Sequence, residues 1–386
     1  MGLDSQSISL YVHIPFCTQR CSYCDFYFVT TKSGYQEFVD ALCLEITQVA
    51  QSYSNPSLST IYFGGGTPSL LPSSALQYIL DHIHHLFQTG QLREVTIEAN
   101  PEDITDHFLH ELLNIGVTRV SLGVQSFDDH DLRFMNRCHD SDQAIEACRK
   151  IQSAGFNSWS LDLIFGVPDV SLTRWEDNLT KAIHTGVPHI STYSLTVEPS
   201  TPLYKQVQRG KVIISSDSHI SDQFQLAMDI LQKAGYQHYE ISSFAQSGHE
   251  SQHNSQYWSH DNYLGVGPSA HSFWWEDDEI VRWENVRNLR VYSDLIYHHE
   301  PPFSFRETLT KQDLVREKIM LSLRTSQGID LNDLEQKYGY RLLDHKQQQL
   351  QLMESNGLIT LTKSSVRLTQ KGKHICDQIT QRLWND

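Results

Sequence analysis

The hydrophobic pattern of the first half of the chain switches repeatedly between two periods. Short runs rich in β-branched and aromatic residues occupy 9–16, 60–66, 94–100, 119–126, 158–165 and 189–197, and between them apolar residues recur at helical spacing. Strands that alternate with helices imply parallel pairing, because a parallel crossover needs a dozen or more residues and is usually a helix. We therefore expect an α/β fold, a partial (β/α)6 TIM-like barrel over residues 1–200. A further helical pattern at 213–235 is followed by a stretch at 239–283 dense in His, Asn, Tyr, Trp and Gly, which does not read as core. We assign 201–300 as an extension of the barrel. Beyond Pro301 and Pro302 the pattern changes again. Helices are expected from Lys311, Leu331 and Leu342, then two apolar runs at 358–361 and 366–369 around a polar turn, predicting a winged-helix-like domain over 301–386.

Composition narrows the function classes. The 386 residues are 39% apolar and 20% charged, ordinary for a globular protein, and the formal net charge is -16. An acidic surface argues against nucleic acid and anionic lipid as partners, since both need a basic face. The nearly balanced charge of 301–386 favours a packing or lid module over a DNA reader. The N-terminus lacks a basic leader with an apolar core, and no window approaches about 18 consecutive apolar residues. A cytoplasmic location with no integral membrane segment is expected.

Seven cysteines are too few for a disulfide scaffold, yet Cys17, Cys21 and Cys24 crowd onto one loop directly after the first predicted strand. Three thiolates so spaced can bind three irons of a cubane and leave the fourth iron open to a ligand. A zinc site would want a fourth Cys or His, and the next candidate, His13, lies back inside the strand. Cys43, Cys138, Cys148 and Cys376 read as buried inert thiols. In βα barrels chemistry gathers at the carboxyl ends of the strands. There this chain carries Gly64, Gly65, Gly66, Thr67 and Pro68 after the second strand, Glu98 and Asn100 at the third, Gln125 at the fourth and Asp162 in the fifth.

The segments YVHIPFC, CSYCDF, YFGGGTPSLL, IEANPE, GVQSF, MNRCH and LDLIFGVP, in this order, resemble the radical S-adenosylmethionine (SAM) superfamily. More narrowly, they are similar to its family of oxygen-independent coproporphyrinogen III dehydrogenases and related heme chaperones. The resemblance implies a [4Fe–4S] cluster on Cys17, Cys21 and Cys24, with SAM on the open iron through its amino and carboxylate groups. It places the SAM contacts on Tyr11, Tyr23, Gly65, Gly66, Thr67, Glu98, Gln125, Arg137 and Asp162. These residue types suit such a ligand. Consecutive glycines let backbone N–H groups come close, Glu98 and Asp162 can accept from an amino group or ribose hydroxyls, and Arg137 can pair with a carboxylate.

Two branches of the family are distinguished by three features. The dehydrogenase branch carries a further cysteine two residues after the third ligand, where this chain has Phe26, and a long segment before the cluster, where this chain has 16 residues. The chaperone branch carries an HNxxYW motif, matched here by His253, Asn254, Tyr257 and Trp258. The resemblance thus implies a heme chaperone that binds heme, with His253 the leading iron ligand, and delivers it to heme-accepting proteins; it also allows a homodimer. The alternative is oxidative decarboxylation of coproporphyrinogen III to protoporphyrinogen IX by a 5′-deoxyadenosyl radical. His260 and His271 receive no role, and His82, His84 and His85 are expected at the surface.

Overall fold

The structure, a computed structural model, describes residues 7–31, 34–275 and 279–384; part of the N-terminal segment considered for a leader, residues 1–6, lies outside them. The first half builds β1 (Ile8–Ile14), α1 (Tyr35–Ser52), β2 (Leu58–Gly65), α2 (Ser73–Leu86), β3 (Glu94–Ala99), α3 (Asp106–Asn114), β4 (Arg119–Gln125), α4 (Asp129–Phe134), α5 (Ser141–Ala154), β5 (Ser158–Phe165), α6 (Leu172–His184) and β6 (His189–Ser194). Strands β1 to β6 pair in parallel in sequence order, as the alternating pattern requires. Strand β1 is buried on both faces, apart from half-buried Tyr11. Each of its fully buried Leu, Val and Ile side chains contributes about 1.5–3 kcal/mol by leaving water. Local chemistry sets the helix ends. Asp140 and Gln143 form a reciprocal capping box at the start of α5, and Gly155 ends it in the left-handed conformation.

The stretch expected to lie outside the core proves to carry many buried residues. After α7 (Pro202–Gln208) and α8 (Asp217–Lys233) come β7 (Gln237–Glu240), β8 (Ser243–Ala245), α9 (Gln252–Ser259), β9 (Tyr263–Val266), β10 (His271–Trp275), β11 (Ile280–Asn285), α10 (Leu289–Tyr297) and β12 (Phe303–Thr308). Strand β9 joins β1 in parallel, and the whole sheet is open, twelve-stranded, with the order β12-β11-β10-β9-β1-β2-β3-β4-β5-β6-β8-β7. Its antiparallel flanks extend a parallel centre. The carboxylate of Glu45 on α1 is wholly buried. It accepts from Tyr292 Oη at 2.5 Å, the Gly267 amide at 2.6 Å and Asn285 Nδ2 at 2.7 Å, tying α1 to the β9–β11 flank. Burial pushes its pKa up to about 7.

A second core is built by α11 (Lys311–Leu323), β13 (Ile329–Asp330), α12 (Leu331–Tyr338), α13 (Leu342–Ser355), β14 (Ile359–Leu361), β15 (Ser365–Leu368), α14 (Gln370–Lys373) and α15 (Cys376–Trp384). The three helices and the β14–β15 hairpin follow the order read from the sequence, and the short β13, which the sequence reading did not include, completes a sheet of order β13-β15-β14. Two smaller expectations need correction. Cys138 is exposed, in the loop between α4 and α5. His82 is half-buried, with its Nε2 2.9 Å from Thr47 Oγ1 and from the Cys43 carbonyl, so it joins α2 to α1.

Candidate functional site

The loop after β1 is fixed from several sides before any ligand is considered. The Cys17 amide donates to the Val29 carbonyl at 3.0 Å, the Ser22 amide to Met135 at 3.0 Å, and the Leu203 amide to Ser22 at 2.8 Å. Arg20 and Gln19 are tied to the loop after α4: Asn136 Nδ2 donates to the Arg20 carbonyl at 2.7 Å, and Gln19 Nε2 to the Asn136 carbonyl at 2.8 Å. Cys17, Cys21 and Cys24 are all half-buried and unpaired. Burial raises the Cys17 thiol to about 12 and the Cys24 thiol to about 11, so without added positive charge these sulfurs keep their protons.

Four strand ends are then linked by one hydrogen-bond chain. Arg137 Nη2 donates to Asn100 Oδ1 at 2.6 Å, Asn100 Nδ2 to Thr67 Oγ1 at 3.3 Å, and Thr67 Oγ1 to Cys17 Sγ at 3.6 Å. The second arm of Arg137 reaches Cys21 Sγ at 3.4 Å, and Nη2 also donates to the Gly123 carbonyl at 2.8 Å. Its Nε is buried without a hydrogen-bond partner. Tyr23 lies against this guanidinium, and burial raises its phenol. Gln125 ends β4 with φ of +66°, an unfavourable left-handed conformation for a side-chain-bearing residue, next to a break in the β4–β5 register.

The glycine loop is itself bonded into the strand ends. The Gly65 amide donates to Glu98 Oε2 at 3.1 Å and the Gly66 amide to the Ile14 carbonyl at 2.8 Å, so both N–H groups already have protein acceptors. What the loop supplies is clearance. A Cβ on Gly64 would lie 2.8 Å from the Tyr62 ring, 3.0 Å from that of Tyr11 and 3.1 Å from Glu98 Oε1. One on Gly65, whose φ is +110°, would meet the His13 ring at 2.5 Å.

Glu98 and Asp162 face the lumen from β3 and β5. Burial raises Glu98 to about 7 and Asp162 to about 6, and the Asp162 charge adds to the shift of Glu98. Tyr11 Oη lies 3.2 Å from His13 Nδ1, whose Nε2 is 3.0 Å from the Tyr27 carbonyl beyond the cysteines. Sequence reasoning missed Tyr62. Its Oη donates to Glu98 Oε1 at 2.8 Å, and its only sequence signal is a position two residues before Gly64 on the lumen face of β2.

His253 sits at the opposite end of the lumen. It is 0% exposed. Its Nδ1 lies 2.8 Å from Thr60 Oγ1 and its Nε2 2.8 Å from Tyr257 Oη, while its amide and that of Gln252 donate to the Glu94 carboxylate at 3.0 Å each. Burial lowers its pKa to about 3. In this arrangement both ring nitrogens are engaged, Nε2 by Tyr257 of the same helix, so iron could reach Nε2 only after the Tyr257 hydroxyl moved away.

The residues at the mouth fit the implied cofactors. The three Sγ atoms do not all lie within 4.8 Å of one another, whereas thiolates sharing one zinc at about 2.3 Å would sit closer together. A cubane spreads its thiolates over separate irons and supplies the positive charge that these raised thiols need. The unpartnered Nε of Arg137 and the carboxylates of Glu98 and Asp162 offer a donor and acceptors of the kinds that SAM requires.

Comparison with known proteins places the chain in a family. The Radical SAM superfamily matches residues 11–182, and the HemN C-terminal domain matches residues 309–374. The chain is 33% identical to the heme chaperone HemW of Bacillus subtilis over 374 residues, covering 96% of this chain and 97% of that one. It is 35% identical to the heme chaperone HemW of Escherichia coli over 288 residues, covering 74% and 75%. Among solved structures, the coproporphyrinogen III oxidase HemN of Escherichia coli, described as a radical SAM enzyme, superimposes with a TM-score of 0.83 at 24% identity, covering 98% of this chain and 90% of that one. That likeness shows the fold. With identity of this level to curated chaperones along nearly its whole length, the chain belongs to the heme chaperone HemW family of the radical SAM superfamily.

Proposed function

We propose that this protein is a heme chaperone that binds heme and passes it to heme-requiring acceptor proteins in the cytoplasm. The observation that carries the reading is the 33% identity to a protein named heme chaperone HemW over 96% of the chain. Phe26 supports it, standing 72% exposed on the cysteine loop where the dehydrogenase branch has a further cysteine. In the same reading Cys17, Cys21 and Cys24 hold a [4Fe–4S] cluster, and SAM is held by Tyr11, Tyr23, Gly65, Gly66, Thr67, Glu98, Gln125, Arg137 and Asp162. Domain divisions near residues 200 and 300 and a homodimer complete the proposal.

The chain's own residues have definable roles. The Arg137–Asn100–Thr67 chain holds the cysteine loop in register with the ends of β2, β3 and β4. Arg137 balances thiolate charge at Cys21. Glu98, gripped by Tyr62 and the Gly65 amide, presents a fixed acceptor to an amino group. When bound and reduced, a cluster with SAM supplies one-electron chemistry.

His253 is the proposed heme ligand on the condition that Tyr257 and Thr60 release its ring. The test is an anaerobic heme titration followed by absorption, on the wild type, His253→Ala and the triple Cys17→Ala, Cys21→Ala, Cys24→Ala variant. We expect a saturable Soret change at about one heme per chain, weaker in His253→Ala. The triple variant should bind heme and fail to deliver it. An unaltered titration in His253→Ala removes that residue as ligand, and a wild type with no saturable heme binding overturns the chaperone reading. Protoporphyrinogen accumulating from coproporphyrinogen III under reducing conditions would instead establish the dehydrogenase.

A further inference from the structure

Tyr62 stands where two halves of the lumen meet. Its ring lies between Tyr11, with centroids 6.1 Å apart at 22°, and His253, 4.9 Å apart at 30°. Its hydroxyl donates to one oxygen of Glu98 at 2.8 Å while the Gly65 amide donates to the other at 3.1 Å. A carboxylate has about four lone-pair sites, so two protein donors hold it without saturating it. The bare Cα of Gly64 gives the Tyr62 ring the room this grip needs.

We propose that Tyr62 is a positioning residue of the SAM site: through its hydrogen bond it keeps the Glu98 carboxylate ionised and oriented toward the amino group of SAM. The proposal rests on the reading that Glu98 binds that amino group. Glu98 faces Tyr11 from β1, Tyr62 and the Gly65 amide from β2, Asp162 from β5 and Tyr257 from α9. Burial and Asp162 oppose its ionisation, and the Tyr62 hydroxyl and Gly65 amide favour it. Removing the phenol therefore moves Glu98 toward the protonated form, which offers SAM one acceptor fewer.

The experiment uses the full chain with its cluster reconstituted anaerobically. Equilibrium binding of SAM, and of 5′-methylthioadenosine, which lacks the amino acid group, is measured across neutral pH on the wild type, Tyr62→Phe and Glu98→Gln, with iron content and melting as fold controls. Phenylalanine keeps both ring stacks. We expect Tyr62→Phe to bind SAM about tenfold more weakly near neutrality, with 5′-methylthioadenosine unaffected and the pH midpoint of SAM binding displaced upward. Equal weakening of both ligands with an unmoved midpoint would mean a merely structural residue and overturns the proposal. Wild-type SAM binding in Tyr62→Phe, with binding lost in Glu98→Gln, overturns it while leaving the Glu98 reading intact. Wild-type SAM binding in Glu98→Gln removes that reading and the proposal together. If Tyr62→Phe does not fold, 3-fluorotyrosine at position 62, a stronger donor of nearly the same shape, should displace the midpoint downward; an unmoved midpoint overturns the proposal.

Discussion

The two ends of the barrel lumen are lined from the same strands, yet they are finished in opposite ways. At the amino end α9 is bonded into the strands at several points: Glu94 takes the amides of Gln252 and His253, Thr60 and Tyr257 take the His253 ring, and Gln256 bonds Ser59 at 2.5 Å. At the carboxyl end Arg137 keeps a buried Nε without a partner, two carboxylates sit at raised pKa, and half-buried thiols face one another across a loop. Satisfied polar groups make a plug, and groups left short of partners or charge make a site. A residue's chemistry does not distinguish the two cases; its bonding does.

The largest test of that contrast acts on the plug. Glu94→Ala strips both acceptors from the start of α9 and leaves the His253 amide buried without a partner, so stability should fall by about 2 kcal/mol in urea unfolding. A midpoint equal to wild type would mean that α9 does not close the amino end in this way. Next comes the mouth. Gly64→Ala drives a methyl group into Tyr62, Tyr11 and Glu98, and should cost about 1–2 kcal/mol of stability while weakening SAM binding about tenfold. If SAM binds this variant normally, clearance is not what the first glycine provides.

The smallest effect is one of slope with pH, and its sign differs between the two ends. His253 has a folded pKa near 3, below its unfolded 6.5, so between these values the unfolded chain binds more protons and stability rises with pH. Glu98, near 7 when folded against 4.5 unfolded, does the reverse: the folded chain keeps a proton that the unfolded chain releases, and stability falls as pH rises through that window. Asp162 acts in the same sense from 3.8 to about 6. Over their shared range the two ends oppose each other. Relative to wild type, Glu98→Gln should make stability climb more steeply with pH, and His253→Gln should make it climb less or fall. Parallel stability–pH curves for the three proteins would refute the opposed titrations.

The sequence by itself determined a good deal of this protein. Period-2 runs spaced by helical patterns foretold six parallel strands, and the strand–cysteine–strand–glycine order located the mouth, because strand and helix periodicities and a three-thiol spacing are local properties. The three helices and the hairpin of 311–368 were legible for the same reason. Tertiary structure alone decided the rest. The 239–283 stretch looked too polar for a core, yet it carries buried His253, His260 and Ser272 along with the β9–β11 flank, since a polar side chain can be buried once distant partners satisfy it. The same dependence on distant partners gave the Gly65 and Gly66 amides to protein acceptors, joined Arg137 to Cys21 across 116 residues, and brought Tyr62 to Glu98 across 36. Spacing along a chain shows which groups are available; only the fold shows which of them are already bonded.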